Sequence, residues 1–250
     1  MSLKGKYCVI TGAGSGIGKA TALMMAEMGA SVALIGRTRS KVVEVKTMIQ
    51  KKGGVALEYG IDVSNHKDVS ETFSNITKSF ERIDILVNSA GHSSQNRSLL
   101  TTTPEEINSV VGSNLKGSIY CSQESIPSML KSKSGTIINV SSVAGIDPGL
   151  LGGMIYSAVK SAVINFTGFL NEEFKNTGIR ASVVIPGEVD TPLIDKRPMV
   201  PDSEARKLMV SAEDVAEAIT LIAKLPMKSN IPKMIIRPSF TRDMSEIKVV

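Results

Sequence analysis

The sequence predicts an α/β protein built on a doubly wound, mainly parallel sheet, and three observations carry that prediction. Runs rich in β-formers recur along the chain, segments long enough for a helix separate most of them, and several runs are continuously apolar rather than alternating. A continuous apolar run is what a strand covered by helices on both faces requires. In order, the runs are KYCVIT (6–11), SVALIG (31–36), VALEYGI (55–61), IDILVN (83–88), TIINVS (136–141), ASVVI (181–185) and KMIIR (233–237), enough for a seven-stranded sheet. Between the first two, Ile17, Ala20, Met24 and Met28 follow helical spacing, and Gly29 then ends the helix. The βαβ alternation continues down the chain, which implies right-handed crossovers within a single sheet. The 250 residues suit one domain, 1–250, and contain neither an internal repeat nor a linker. Pro186, Pro192, Pro198 and Pro201 interrupt the only long irregular stretch. It predicts a mobile flap beside the site over about residues 187–210, with room for a short helix.

Composition narrows the class. A hydrophobic content of 42% with 21% charge excludes disorder as a description of the whole chain. The N-terminal MSLKGKYCVITG has a short apolar run but no signal-like core or cleavage pattern, and the expected location is cytoplasmic. Asp147, Lys160, Glu172 and Glu173 break the longest weakly polar region, so no membrane span is expected. Cys8 and Cys121 each sit in an apolar run, as buried thiols of a reducing compartment do. The net charge of +5 raises the question of nucleic acid, but basic residues are scattered, Trp is absent and aromatics are only 4%. A polyanion is therefore not the expected partner, whereas a small anionic ligand is compatible.

The first strand runs into a glycine loop. G-x-G-x-x-G does not fit in frame from Gly12 or Gly14, but T-G-x-x-x-G-x-G does, through Thr11, Gly12, Gly16 and Gly18. Glycines let the backbone approach a pyrophosphate, and the following helix offers unpaired N–H groups and a positive dipole end. Where the second strand ends, an Asp or Glu binds a free ribose 2′-hydroxyl. Gly36 stands there instead, followed by Arg37 with Arg39 and Lys41 nearby. A guanidinium can bind a 2′-phosphate through paired hydrogen bonds, so NADP(H) is expected over NAD(H). The competing interpretation of Arg37 is a solvated basic helix start.

Tyr156 and Lys160 are four apart in the helical run MIYSAVKSAV, amid Ala158, Val159, Ala162 and Val163. They are either a buried tyrosine beside a snorkelling lysine or a chemical pair. In the second case an ammonium about 5 Å from the phenol, at an effective dielectric near ~20, contributes roughly 3 kcal/mol toward lowering a tyrosine pKa of about 10. Desolvation opposes this, and the pair is expected to move the phenol toward working pH.

The ordered motifs resemble the short-chain dehydrogenase/reductase family over nearly the whole chain. They are T-G-x-x-x-G-x-G at Thr11 to Gly18, Asp62-Val63, NSAG at Asn88 to Gly91, Asn114 in GSNLKG, Ser142 in NVSSVAG, Y-x-x-x-K, and PGEVDT at Pro186 to Thr191. The resemblance implies a Rossmann fold and a catalytic tetrad. In it Tyr156 is the general acid/base, Ser142 polarises the carbonyl or alcohol, Lys160 binds the nicotinamide ribose, and Asn114 holds a proton-relay water. It further implies cofactor contacts from Gly12, Ser15, Gly16, Ile17 and Gly18 at the pyrophosphate. Arg37 then meets the 2′-phosphate, and Asp62 and Val63 flank adenine. Asn88, Ala90 and Gly91 lie on the adenosine side, and Pro186, Gly187, Val189 and Thr191 toward the carboxamide. A homodimer or homotetramer is implied too, although SAVINFTGFLNEEF could equally pack on its own sheet.

Departures refine the expectation. NSAG replaces the commoner NNAG, which shifts attention to Ser89 as a brace of the fourth strand. Ser142 lies fourteen residues before Tyr156, one more than the frequent spacing, with GIDPGLLGG absorbing the difference and Ser141 the weaker claimant. The end NIPKMIIRPSFTRD resembles members acting on short 3-hydroxy acids. The sequence lacks G-x-S-x-G, and its histidines are His66, near the Asp62 turn, and His92, which either lines a substrate site or is a loop residue without a role. No cluster has zinc spacing, so metal-free hydride transfer is expected. The leading function is NADP(H)-dependent interconversion of a secondary alcohol and a ketone on a short 3-hydroxy acid or related small compound. Alternatives are a reductase of 3-oxoacyl or other longer carbonyls, served by PGLLGGMI, and a non-catalytic NADP(H) sensor. Lys196 or Arg197 is the candidate for binding a substrate carboxylate or phosphate.

Overall fold

The computed structural model describes residues 2–240. The last three residues of NIPKMIIRPSFTRD lie outside them.

All seven runs form strands: β1 (Tyr7–Thr11), β2 (Ser31–Ile35), β3 (Ala56–Tyr59), β4 (Ile85–Asn88), β5 (Gly135–Val140), β6 (Ile179–Pro186) and, after a small pair in the flap, β9 (Lys233–Ile236). They make one sheet of order β3-β2-β1-β4-β5-β6-β9, parallel throughout. The helices are α1 (Gly16–Glu27), α2 (Arg39–Lys51), α3 (His66–Phe80), α4 (Pro104–Val111), α5 (Gly117–Ser132), α6 (Met154–Glu173), α7 (Ser203–Lys207) and α8 (Ala212–Lys224).

Alternation within the apolar strands divides the core in two. Cys8, Ile10, Val32, Leu34, Val87 and Ile138 pack beneath α1, α2 and α8, where Met25, Val45 and Ile219 meet them. Val9, Ala33, Leu86 and Ile137 face the other way, onto Phe73 and Ile76 of α3, Cys121 and Met129 of α5, and Leu170 of α6. Cys8 and Cys121 are thus free, fully buried thiols on opposite faces of the sheet. Helix starts follow local chemistry: Asn65 caps α3, and capping boxes from Thr103 with Glu106 and from Ser211 with Asp214 open α4 and α8. Buried Arg180 on β6 gathers the carbonyls of Ile222, Leu225, Pro226 and Ser229, closing the C-terminal end of α8 onto the sheet.

Two features depart from the sequence expectation. The flap is built rather than irregular: β7 (Val189–Asp190) pairs in parallel with β8 (Val210–Ser211), and a 3₁₀ turn at Ile194–Lys196 and α7 lie between them. Arg206 fastens it by bridging Asp190, at 3.0 Å, and Asp195. Between α4 and α5 the helix widens into a π-turn, Gly112–Lys116, which carries Asn114.

Strand order reverses between β1 and β4, so the loops after them open a crevice at the carboxyl edge of the sheet. The two loops are locked together. Thr11 Oγ1 accepts hydrogen bonds from the Ser89 and Ala90 amides at 3.1 and 3.0 Å. Gly12 has φ +68°, and a Cβ there would lie 2.8 Å from the Ser89 carbonyl oxygen. Gly12→Ala is therefore expected to destabilise the protein by about 2 kcal/mol or more, combining left-handed strain with a backbone collision. Urea denaturation measures it, and an unchanged midpoint would contradict it.

Candidate active site

A cavity of about 520 Å³ opens at this crevice. Of the residues expected in the site, Gly12, Ser15, Gly16, Ile17, Gly91, Pro186, Gly187, Val189 and Thr191 line it, together with Asn114, Ser142, Tyr156 and Lys160. Helix α1 begins at the glycine loop with no side-chain cap and no acidic residue in its first turn. Its first amides and dipole are thus left for an anion. Thr191 faces the loop, its Cβ 3.2 Å from where a Gly16 Cβ would be, so loop and flap form opposite walls. Gly18 lies behind the wall and its role is steric: a Cβ there would collide with the Gly12 carbonyl.

Other expected residues are placed differently. Asn88 is buried, and its amide donates to Asn139 Oδ1 at 2.9 Å and more distantly to Ser118 O and Ser122 Oγ. Asn139 continues to Thr167 on α6 at 2.9 Å. This chain ties β4, β5 and α6 together, so the Asn88 side chain braces the site rather than lining it. The bracing sought at Ser89 falls to Asn88, while Ser89 contributes its backbone. Val63 is likewise buried, against Gly117, and Ala90 contributes its amide to Thr11. Arg37 is exposed at the end of β2, outside the cavity lining. Asp62 stands near it: partial burial pushes its carboxyl up, but the Ser64 N–H and hydroxyl, aided by Arg37, hold it below its ordinary range.

The four tetrad side chains reach the cavity from two elements, the π-turn and α6, and from the loop after β5. Ser142 follows β5, and its Oγ accepts from the Ala144 amide at 3.2 Å. The Ser141 hydroxyl is spent on the Lys160 carbonyl at 2.7 Å, which separates the two serines. Lys160 is buried, its ammonium 5.5 Å from the Tyr156 ring centroid and donating to Val140 O at 3.0 Å. Burial pushes Lys160 down to about 8. For Tyr156 the sequence-based expectation is reversed. Burial is the largest influence and leaves the phenol above its ordinary value, although the Ser142 hydroxyl and the guanidiniums of Arg197 and Arg97 pull it down. Asn114 is buried in the π-turn, its Nδ2 donating to His92 O at 2.8 Å and Val110 O at 2.9 Å. Its Oδ1 is buried without a partner among the described residues and lies against Gly91, where a Cβ would collide with it. That leaves one acceptor for a proton donor at the site.

His92 does not line the cavity. Its ring is held between the hydroxyls of Ser109, at 3.0 Å, and Ser113, at 2.9 Å, a clamp between the NSAG loop and the helix carrying Asn114. Lys196 is exposed and outside the lining, and Arg197 is paired with Glu188 at 2.6 Å. Arg97, absent from the sequence expectations, does line the cavity. It is a single basic residue in the polar run HSSQNRS, where no pattern marks it.

The short chain dehydrogenase family model matches residues 6–199. The chain belongs to the short-chain dehydrogenase/reductase family of oxidoreductases. An uncharacterized oxidoreductase of Staphylococcus saprophyticus is 36% identical over 239 residues, covering 95% of this chain and 99% of its own. Among solved structures, a metagenomic short-chain oxidoreductase in complex with NADP aligns with TM-score 0.83 at 29% identity, covering 96% of this chain and 100% of its own. A 3-ketoacyl-(acyl-carrier-protein) reductase from Brucella melitensis complexed with NADH aligns with TM-score 0.86, also at 29% identity, covering 95% and 99%. For this short-chain dehydrogenase/reductase, the uncapped α1 terminus, the glycine packing and Thr191 opposite Gly16 fit a dinucleotide pyrophosphate. No helix among the described residues is long and apolar enough to cross a membrane.

Proposed function

We propose that the protein is an NADP(H)-dependent oxidoreductase that interconverts a secondary alcohol and a ketone on a short 3-hydroxy acid or related small hydroxy compound. The observation that carries this reading is the convergence of Asn114, Ser142, Tyr156 and Lys160 on the cavity that the glycine loop also lines. A bound nicotinamide supplies or accepts the hydride. Tyr156 Oη gives its proton to the substrate oxygen in reduction and takes one in oxidation. The Ser142 hydroxyl donates to the same oxygen, stabilising the charge that grows on it. The Lys160 ammonium sits on the same helix face as the phenol, where it holds a ribose and passes protons. Asn114 Oδ1 offers the acceptor for a relay water.

Exposed Arg37 beside Gly36, with no carboxylate in that place, supports the 2′-phosphate cofactor. Titration with NADPH and NADH, followed by nicotinamide fluorescence, tests it. NADPH is expected to bind roughly tenfold or more tightly than NADH, and Arg37→Ala to remove most of that margin. Equal or tighter NADH binding would overturn the cofactor assignment. Phe169 of α6, 59% exposed while Val163 and Leu170 face the sheet, supports a homodimer or homotetramer.

A second reading, reduction of 3-oxoacyl thioesters, draws support from the Brucella neighbour and from Leu151, Leu193, Leu208 and Met209 in the lining. Relative kcat/KM on 3-oxobutanoate and on its thioester separates the two readings.

A further inference from the structure

The cavity that Tyr156 and Ser142 line holds a guanidinium that meets no carboxylate among the described residues. Arg197 pairs with Glu188 and Arg237 with Asp147, all four lining the cavity. Arg97 lines the same cavity, yet among the described residues its hydrogen bonds go to uncharged groups alone. Its Nη1 donates to the Gly152 carbonyl at 2.6 Å and to the Ser93 hydroxyl. Its Nε is buried without a partner, and Nη2 makes no hydrogen bond among the described residues.

The division of those donors matters. Nε–H and the adjacent Nη2–H form the guanidinium edge that matches the two oxygens of a carboxylate. A buried donor left unpaired is costly, and a cation held partly out of water without a counter-charge more so. The stem is meanwhile fixed in place. Gly153, at φ +75°, packs so closely that a Cβ would lie 2.6 Å from Arg97 Cδ, and it sits at the start of α6 just before Tyr156. Arg97 is thus anchored to the catalytic helix through one nitrogen, with its carboxylate-matching edge left over. The mutual influence of Arg97 and Tyr156 on each other's protonation agrees with their proximity.

We propose that Arg97 determines specificity by receiving the carboxylate of an anionic substrate on its Nε/Nη2 edge while the carbinol carbon lies between Tyr156 and Ser142. The assignment rests on the oxidoreductase reading above and replaces Lys196 and Arg197 as the anion-binding group. Lys196 is outside the cavity and Arg197 is already neutralised by Glu188.

The test uses protein saturated with NADPH, which cannot react with an alcohol, and titrated calorimetrically with 3-hydroxybutanoate and, separately, with its uncharged amide. Wild type is expected to bind the acid roughly ten- to hundredfold more tightly than the amide. Arg97→Gln, which keeps donors for Gly152 and Ser93 but lacks the charge and the paired edge, should abolish that preference. Arg97→Lys, which keeps the charge and lacks the planar fork, should retain only part of it, and it decides the matter should the Gln variant not fold. Absence of an acid preference in wild type, its survival in the variants, or equal weakening of acid and amide would each overturn the assignment. Hydride transfer is read separately. Turnover of neutral ketones without acid preference removes Arg97 and leaves the oxidoreductase reading, whereas acid binding through Arg97 without any NADPH oxidation does the reverse.

Discussion

Tyr156→Phe is expected to lower turnover by ~10³-fold or more, at the upper part of the range for general acid–base catalysis, while NADPH affinity stays within about twofold. The substitution removes one oxygen and keeps the ring, so the packing of α6 and the position of Lys160 are preserved. The lost group is the proton donor and acceptor for the substrate oxygen, and Ser142 cannot replace it because a hydroxyl is too weak an acid to give up its proton there. The pH dependence has a definite sign. Burial holds the phenol above its ordinary value, so the acid form needed for reduction is already present at neutral pH. Oxidation requires the phenolate, and its kcat/KM should climb with pH through the alkaline range. Steady-state rates in both directions, with a fluorescence titration of the variant, check these expectations. Undiminished turnover in Tyr156→Phe would remove the residue from the chemistry.

Lys160→Met is expected to abolish turnover and yet stabilise the cofactor-free protein. Burial depresses the ammonium from 10.5 to about 8, so charging it in the native state costs roughly 3 kcal/mol at neutral pH. Below about 8 both native and unfolded chains carry the proton and the penalty is present in full. Between about 8 and 10.5 the unfolded chain keeps a proton that the native one releases, so this group makes stability rise with pH. Methionine fills similar space without charge, at a cost of about 1 kcal/mol for leaving the Val140 carbonyl unpaired. The net gain is about 2 kcal/mol at pH 7, or roughly 4–8 °C in Tm, shrinking toward pH 10. Both thiols are also raised by burial, so wild type and variant are compared at each pH to isolate the lysine. A variant less stable than wild type at pH 7 would show that the buried charge is compensated.

The sheet was legible because its strands are covered on both faces and so appear as uninterrupted apolar runs. The glycine loop was legible because positive φ and close backbone approach exclude side chains. What escaped the sequence depends on contacts across the chain. The π-turn around Asn114 leaves the helical residue pattern intact, and β7 and β8 are two residues each, too short for any periodicity. Motif membership did not reveal side-chain direction. Asn88 and Val63 sit among cofactor-loop motifs yet turn into the scaffold. The phenol's protonation depends on burial that only the folded chain defines, so the lysine charge alone does not set its direction. Arg97 depends on the Gly152 carbonyl, 55 residues away in sequence, to fix its stem at the cavity wall.

The most direct measurement is deuteride transfer from NADPH deuterated at nicotinamide C4, in single turnovers with 3-oxobutanoate, its methyl ester and its thioester, the products analysed by NMR. Deuterium on the carbinol carbon of at least one product, formed by wild type and absent with Tyr156→Phe, is the predicted result. Tight NADPH binding with no deuterium on any product, or equal labelling by the Phe variant, would contradict a Tyr156-dependent hydride transfer.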